Sequence, residues 1–180
     1  MTAPLNPPPP RSIKTIGTLN LVFAGLGLLG SLMTYAMYFG GLELTPGHPN
    51  PVKEATLSSP TYMSFLKASM FAGLVAAVVL GASGIGLRAM KNWGRKLALC
   101  YAVYGIFAAI TGMVMMVKYL MPALSKLHDP AAQGGMMGGV MGGLIGIAYP
   151  VVILVFMSKQ NVREAFERAN EPPVPPAHVR

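Results

Sequence analysis

The side chains able to do chemistry in this sequence are three histidines, one cysteine, a buried-looking asparagine and a crowd of methionines. His48 and His128 lie in polar connections and His178 in the C-terminal tail. No two of them share an apolar stretch, so paired histidine ligation of a haem at membrane depth is excluded. Cys100 sits inside an apolar run with no second cysteine to pair with, and it says nothing about redox compartment. It reads as a small apolar residue, with acylation near a membrane surface as the alternative. Met113, Met115, Met116 and Met121, then Met136, Met137 and Met141, gather toward His128. Thioethers are soft ligands suited to monovalent copper, and they are also flexible fillers of irregular gaps beside glycine. Gly25, Gly27 and Gly30 spell G-x-G-x-x-G, but a dinucleotide fingerprint needs a strand before it. Inside a long apolar run these glycines are packing positions. Asn20 is the most polar residue deep within such a run, and the one candidate intramembrane polar site. Its default is a cross-helix hydrogen bond, and its alternative is a pore or substrate contact.

Nothing else completes a site. No carboxylate lies in the core of any apolar run, whereas proton relays and ion-coupled transport rest on buried carboxylates. Asn20, Thr34, Ser83 and Thr111 are too few, and too scattered, to line a continuous polar path in one chain. The expectation is a protein without catalytic, metal or cofactor residues. It is a non-catalytic scaffold or accessory subunit, with a small oligomeric channel or transporter for a neutral or hydrophobic solute as the alternative.

The elements that would position these residues follow from composition. Of the 180 residues 53% are apolar and only 11% are charged, against roughly 25% charged in an ordinary soluble domain. The apolar residues collect in four blocks, 13–39, 65–87, 97–120 and 136–157. Each reaches the ~20 residues that cross a hydrocarbon core as a helix, and helices satisfy their own backbone there. The fold class is therefore all-α, an integral membrane antiparallel four-helix transmembrane bundle over 13–158. A proline-rich tail precedes it (1–12), an amphipathic juxtamembrane helix follows (159–171), and a second proline-rich tail ends the chain (172–180). The first block is too long for a signal core, and no small-x-small site follows it. Residues 40–64 form the longest connection, rich in proline and suited to contacts on the outer side.

Charge sets the orientation. Arg11 and Lys14 precede the first block, while Arg88, Lys91, Arg95 and Lys96 crowd the turn between the second and third. Lys159, Arg163 and Arg168 follow the fourth. Basic residues in short loops stay cytoplasmic, and all three clusters fall on one side of a four-span topology. Both termini are then cytoplasmic. Trp93 is placed as an interface anchor among Arg88, Lys91, Arg95 and Lys96, which could also draw anionic headgroups. No feature points to nucleic acid.

Helix association in lipid relies on small residues that let backbones approach. Ser69, Gly73, Ala77 and Gly81 form one stripe on the second block. On the fourth, Gly134, Gly138, Gly142 and Gly146 form a stripe beside Gly135, Gly139 and Gly143. Their partner is another span of this chain, a second copy, or another membrane protein. Pro150 removes a backbone donor within the fourth block and should bend it.

The turn Leu87-Arg88-Ala89-Met90-Lys91-Asn92-Trp93-Gly94-Arg95-Lys96-Leu97, and the segment Asn161-Val162-Arg163-Glu164-Ala165-Phe166, resemble those of small bacterial four-span proteins. In that group a short basic loop with a Trp-small-Arg core joins spans two and three. The resemblance implies a bacterial inner-membrane location and brings no activity.

The charge pattern makes a direct forecast. A reporter fused after Arg180 is expected to work only as a cytoplasmic reporter, and one inserted near Asn50 only as an exported one. The reverse pattern in a fusion assay would overturn the orientation.

Overall fold

The computed structural model describes residues 11–42, 50–126 and 130–171. Both proline-rich tails and all three histidines lie outside these, apart from Arg11 and Ser12. Among the described residues every regular element is helical: α1 (Arg11–Tyr38), α2 (Pro51–Leu57), α3 (Pro60–Arg88), α4 (Asn92–Met115), α5 (Met121–Leu124), α6 (Pro130–Ser158) and α7 (Gln160–Ala169). A π-helical turn, Met116–Leu120, joins α4 to α5. Four helical segments are long and apolar enough to cross a membrane: Arg11–Tyr38, Pro60–Arg88, Asn92–Leu124 and Gln133–Ser158. At ~1.5 Å per residue the 28 residues of α1 extend about 42 Å, longer than a hydrocarbon core.

Capping explains why helices outrun the apolar blocks. Ser59 accepts a hydrogen bond from the Tyr62 amide at 3.3 Å, and Pro60 takes the first helical turn, where its missing N–H costs nothing. This starts α3 five residues before the apolar block. In the same way Asn50 accepts from the amides of Val52 and Lys53, with Pro51 behind it. The long connection thus contains a short helix, α2, that apolar periodicity does not reveal. The π turn has a local cause. Pro122 cannot donate to a carbonyl one turn back, and the Met121 amide reaches five residues back, to Met116, instead. Pro150 does not interrupt α6.

The helices pack in the order α1–α3–α4–α6. Along α1 and α3 the contact is made by small residues. A Cβ on Gly84 would fall 2.7 Å from the Gly17 carbonyl oxygen, one on Gly81 3.4 Å from the Ala24 Cβ, and one on Gly27 3.5 Å from the Ala77 Cβ. The α3–α4 pair is closest at its turn. A Cβ on Gly86 would lie 2.5 Å from the Gly94 Cα and 2.9 Å from the Trp93 ring. Between α4 and α6, Pro150 rests on Gly105, where a Cβ would come within 2.8 Å of the proline ring.

Short helices cover both ends. At one end Ile13, Leu87, Ala98, Met157, Val162 and Phe166 share a core cluster, bringing together α1, α3, α4, α6 and α7. The apolar stripe of α7 is therefore buried against the bundle, with Phe166 and Val162 at 0% and 3% exposure. The amphipathic segment read from the sequence over 159–171 thus forms a helix whose apolar stripe caps this end of the bundle. Asn170 donates to the Met90 and Phe166 carbonyls at 2.9 and 2.7 Å. At the other end α2 packs with the π turn, α5 and α6, burying Ala55 beside Met116, Leu120 and Leu124.

Because Gly86 and Gly94 meet backbone to backbone, Gly86→Ala or Gly94→Ala is expected to cost about 1–3 kcal/mol, as overpacking does. Gly25→Ala is the control, since a Cβ there meets nothing within 4 Å. Thermal unfolding in detergent should separate the two classes, and a Gly86→Ala protein as stable as the Gly25→Ala control would refute the contact.

Candidate functional site

The polar candidate from the sequence is the centre of a three-helix cluster. Asn20 of α1 and Ser83 of α3 are both fully buried. The Asn20 Nδ2 donates to Ser83 Oγ at 2.8 Å, and the Tyr149 hydroxyl of α6 donates to Asn20 Oδ1. Ser83 passes its own proton to the Leu80 carbonyl at 2.7 Å. Phe23 lies against Tyr149, with ring centroids 4.3 Å apart and planes tilted by 46°. The backbones of α1 and α3 can approach Asn20 closely because Gly84 has no Cβ; one there would sit 3.2 Å from that of Asn20.

Chemically the cluster is closed. A nucleophilic serine needs a base at its hydroxyl proton. Here the Ser83 proton goes to a peptide carbonyl, while Asn20 donates toward the oxygen. Among the described residues no buried side-chain nitrogen or oxygen lacks a hydrogen-bond partner. No three of His, Cys, Asp or Glu come together there as a metal site would need. The cluster ties helices together and has nothing poised to react. Ser83 had seemed remote from Asn20 in the sequence, and the fold brings them together. Tyr149 was missed, though it stands three residues from Gly146 and so on the same helical face as that stripe.

The small-residue stripes divide. On α3, Gly73, Ala77 and Gly81 face α1 through Ser31, Gly27 and Ala24, while Ser69 bonds back to the Leu66 carbonyl. On α6, Gly135, Gly139 and Gly143 face Val52, Met116 and Met113. Met116, Met121 and Met136 share one apolar cluster there, filling the space those glycines leave. The second stripe behaves differently. Among the described residues, a Cβ on Gly134, Gly138, Gly142 or Gly146 would meet nothing within 4 Å. Beside it runs a ridge of Met137, Met141 and Leu144, exposed by 73%, 54% and 53%.

The basic residues also have distinct tasks. Arg95 turns inward and donates from Nε to the Met157 carbonyl at 3.0 Å, capping the negative end of α6. On α7, Arg163 pairs with Glu167 at 2.7 Å and Arg168 with Glu164 at 3.9 Å. The hydrogen bond to Glu167, more than its charge, pushes the Arg163 pKa up. Trp93 rests one ring edge over Gly86 and remains 46% exposed.

Comparison with known proteins adds no relative: no family model, curated protein or solved structure matches the chain.

If the cluster is a structural tie, its members act as a unit. Tyr149→Phe is expected to cost about 0.6 kcal/mol, the average for an interhelical hydrogen bond in a membrane protein, and Asn20→Leu more. The double variant should be scarcely worse than Asn20→Leu alone, because the tyrosine's acceptor is already gone. Strictly additive losses on unfolding in mixed micelles would show that the two side chains are not coupled.

Proposed function

We propose that the chain is a non-catalytic membrane scaffold, spanning the bacterial inner membrane as an antiparallel four-helix bundle with both termini cytoplasmic. It assembles with a second copy through the glycine face of α6. The observation that carries this reading is the empty stripe Gly134, Gly138, Gly142 and Gly146. In lipid, apolar area gives helices no reason to associate, and close backbone packing does. A glycine stripe with no neighbour is therefore an association surface not used within the chain. The adjoining ridge of Met137, Met141 and Leu144 makes the face self-complementary. Ridge on one copy fits groove on the other about a two-fold axis, the simplest closed assembly.

The polar residues support a scaffold over a conduit. Asn20, Ser83 and Tyr149 bond to one another, leaving no polar row to replace the hydration of a passing solute. The gathering of Arg11, Arg88, Arg95, Lys96 and Arg163 at the end covered by α7 supports placing that end in the cytoplasm.

Cross-linking tests the dimer. In a Cys100→Ala background, Gly142→Cys is expected to form an inter-chain disulfide in membranes, whereas Gly143→Cys, facing Met113, is not. Gly142→Leu should yield a single-copy particle in detergent with unchanged thermal stability. A wild-type protein that is already a single copy at the same concentration would overturn the reading.

A further inference from the structure

The basic end holds more positive charge than the protein itself uses. Arg95 is committed to the Met157 carbonyl, and Arg163 and Arg168 to their glutamates. Arg11, Lys14, Arg88, Lys91, Lys96 and Lys159 have no ion-pair partner among the described residues. Arg11 and Lys14 lie in α1, Arg88 ends α3, Lys96 lies in α4 and Lys159 stands between α6 and α7, all helices joined in the same core cluster, and Lys91 follows Met90, which packs against it.

These six are linked around one end of the bundle. The Arg88 side chain lies over Gly17, where a Cβ would come 2.9 Å from the Arg88 Cγ, one turn from Lys14. Lys91 closes the α3–α4 turn, its amide bonded to the Gly86 carbonyl at 2.8 Å. Lys96 follows Arg95, whose contact with the Met157 carbonyl brings α4 to within two residues of Lys159. The carboxylates described on this end are Glu164, Glu167 and Glu171, and the first two are taken by arginines. A helix end in water would gain nothing from such uncompensated repulsion, whereas a leaflet of anionic phosphate headgroups would neutralise it.

We infer that this end is a docking surface for the phosphate headgroups of anionic phospholipids, reached from the membrane around α1, α3, α4 and α6. The inference rests on the proposed membrane-spanning arrangement. Charge complementarity selects the occupant: six free cations form a rim, and each Lys or Arg near an anionic leaflet contributes about 1 kcal/mol, close to a fivefold preference. Trp93, half-exposed in the turn that also carries Arg88, Lys91 and Lys96, sits at the level where the headgroups would lie.

Trp93 is the sole tryptophan and so reports this surface directly. The full-length protein is reconstituted in vesicles of brominated phosphatidylglycerol, of brominated phosphatidylcholine, or of defined mixtures, and Trp93 fluorescence is followed. The expected result is preferential quenching in mixtures by the brominated anionic lipid, with about fivefold or greater selectivity. The selectivity should fall several-fold in Arg88→Gln and again in Arg88→Gln/Lys91→Gln. It should also fall in 0.5 M salt, where screening acts within roughly 4 Å. Equal quenching by the two lipids in mixtures would overturn the inference while leaving the membrane-spanning reading intact. Failure of either brominated lipid to quench would overturn both.

Discussion

The fold turns on a reversal of three residues, Ala89 to Lys91, and on the two glycines that permit it. Gly86 and Gly94 lie backbone against backbone, so α3 and α4 leave the turn already in contact. The chain closes α3 by bonding the Met90 amide to the Leu87 carbonyl and the Lys91 amide to the Gly86 carbonyl. This pattern calls for a left-handed residue, and Met90 takes it at φ 53°. For a side-chain-bearing residue that conformation costs about 1–2 kcal/mol. The surroundings over-determine it: Met90 packs on the core cluster and its carbonyl accepts from Asn170 of α7. Leu87 is thereby buried among α1, α6 and α7, and Arg88 is laid across Gly17. One tight turn thus sets the position of the cap helix, the closeness of α1 to α3, and the rim of cations.

Much of this was legible in the sequence because lipid-length helices announce themselves. Four apolar blocks stood for four long helices, and the amphipathic segment 159–171 marked α7. What escaped were events decided by single groups. Helix α2 lacks a hydrophobic period, and only the Asn50-Pro51 pair could have signalled it. The π turn follows from Pro122, which sits past the end of its apolar block. Which surface α7 covers is a tertiary fact. An amphipathic stripe fits a bilayer surface and a bundle end equally well, and Phe166 at 0% exposure shows this stripe packed on the bundle end.

The glycines show how far a spacing pattern carries. Regular four-residue stripes suggested packing on the second and fourth blocks alike, and Gly135 and Gly139 do meet the side chains of Val52 and Met116, yet the close approaches of a partner backbone or a proline ring involve Gly17, Gly84, Gly86, Gly94 and Gly105, none on those stripes. They are single positions where a partner backbone or a proline ring comes in, so no period marks them. Periodicity reports a continuous face and says nothing of its neighbour. On α6 the two faces differ by this alone. Gly135, Gly139 and Gly143 look toward Val52, Met116 and Met113, and a Cβ on the parallel stripe would meet nothing within 4 Å among the described residues.

That asymmetry has a geometric origin in the polar cluster. At ~100° per residue, Tyr149 shares its helical face with Gly138 and Gly142, while Pro150 points about a quarter-turn away, onto Gly105 of α4. Tyr149 thus shows the direction of α1 from α6, because its hydroxyl reaches Asn20 and its ring meets Phe23. Only the length of a tyrosine bridges that separation. Two and three turns back along α6, glycine stands where a long side chain would be needed to continue the contact, so α6 has nothing to hold α1 there. A closed bundle would place large apolar residues at these positions, as it places Ile153 and Met157 beyond Tyr149, both fully buried. The chain instead ties α1 to α6 by hydrogen bonds in one half and leaves a smooth glycine face in the other. The same side chain that locks the bundle therefore marks where packing of α6 against α1 stops along that face.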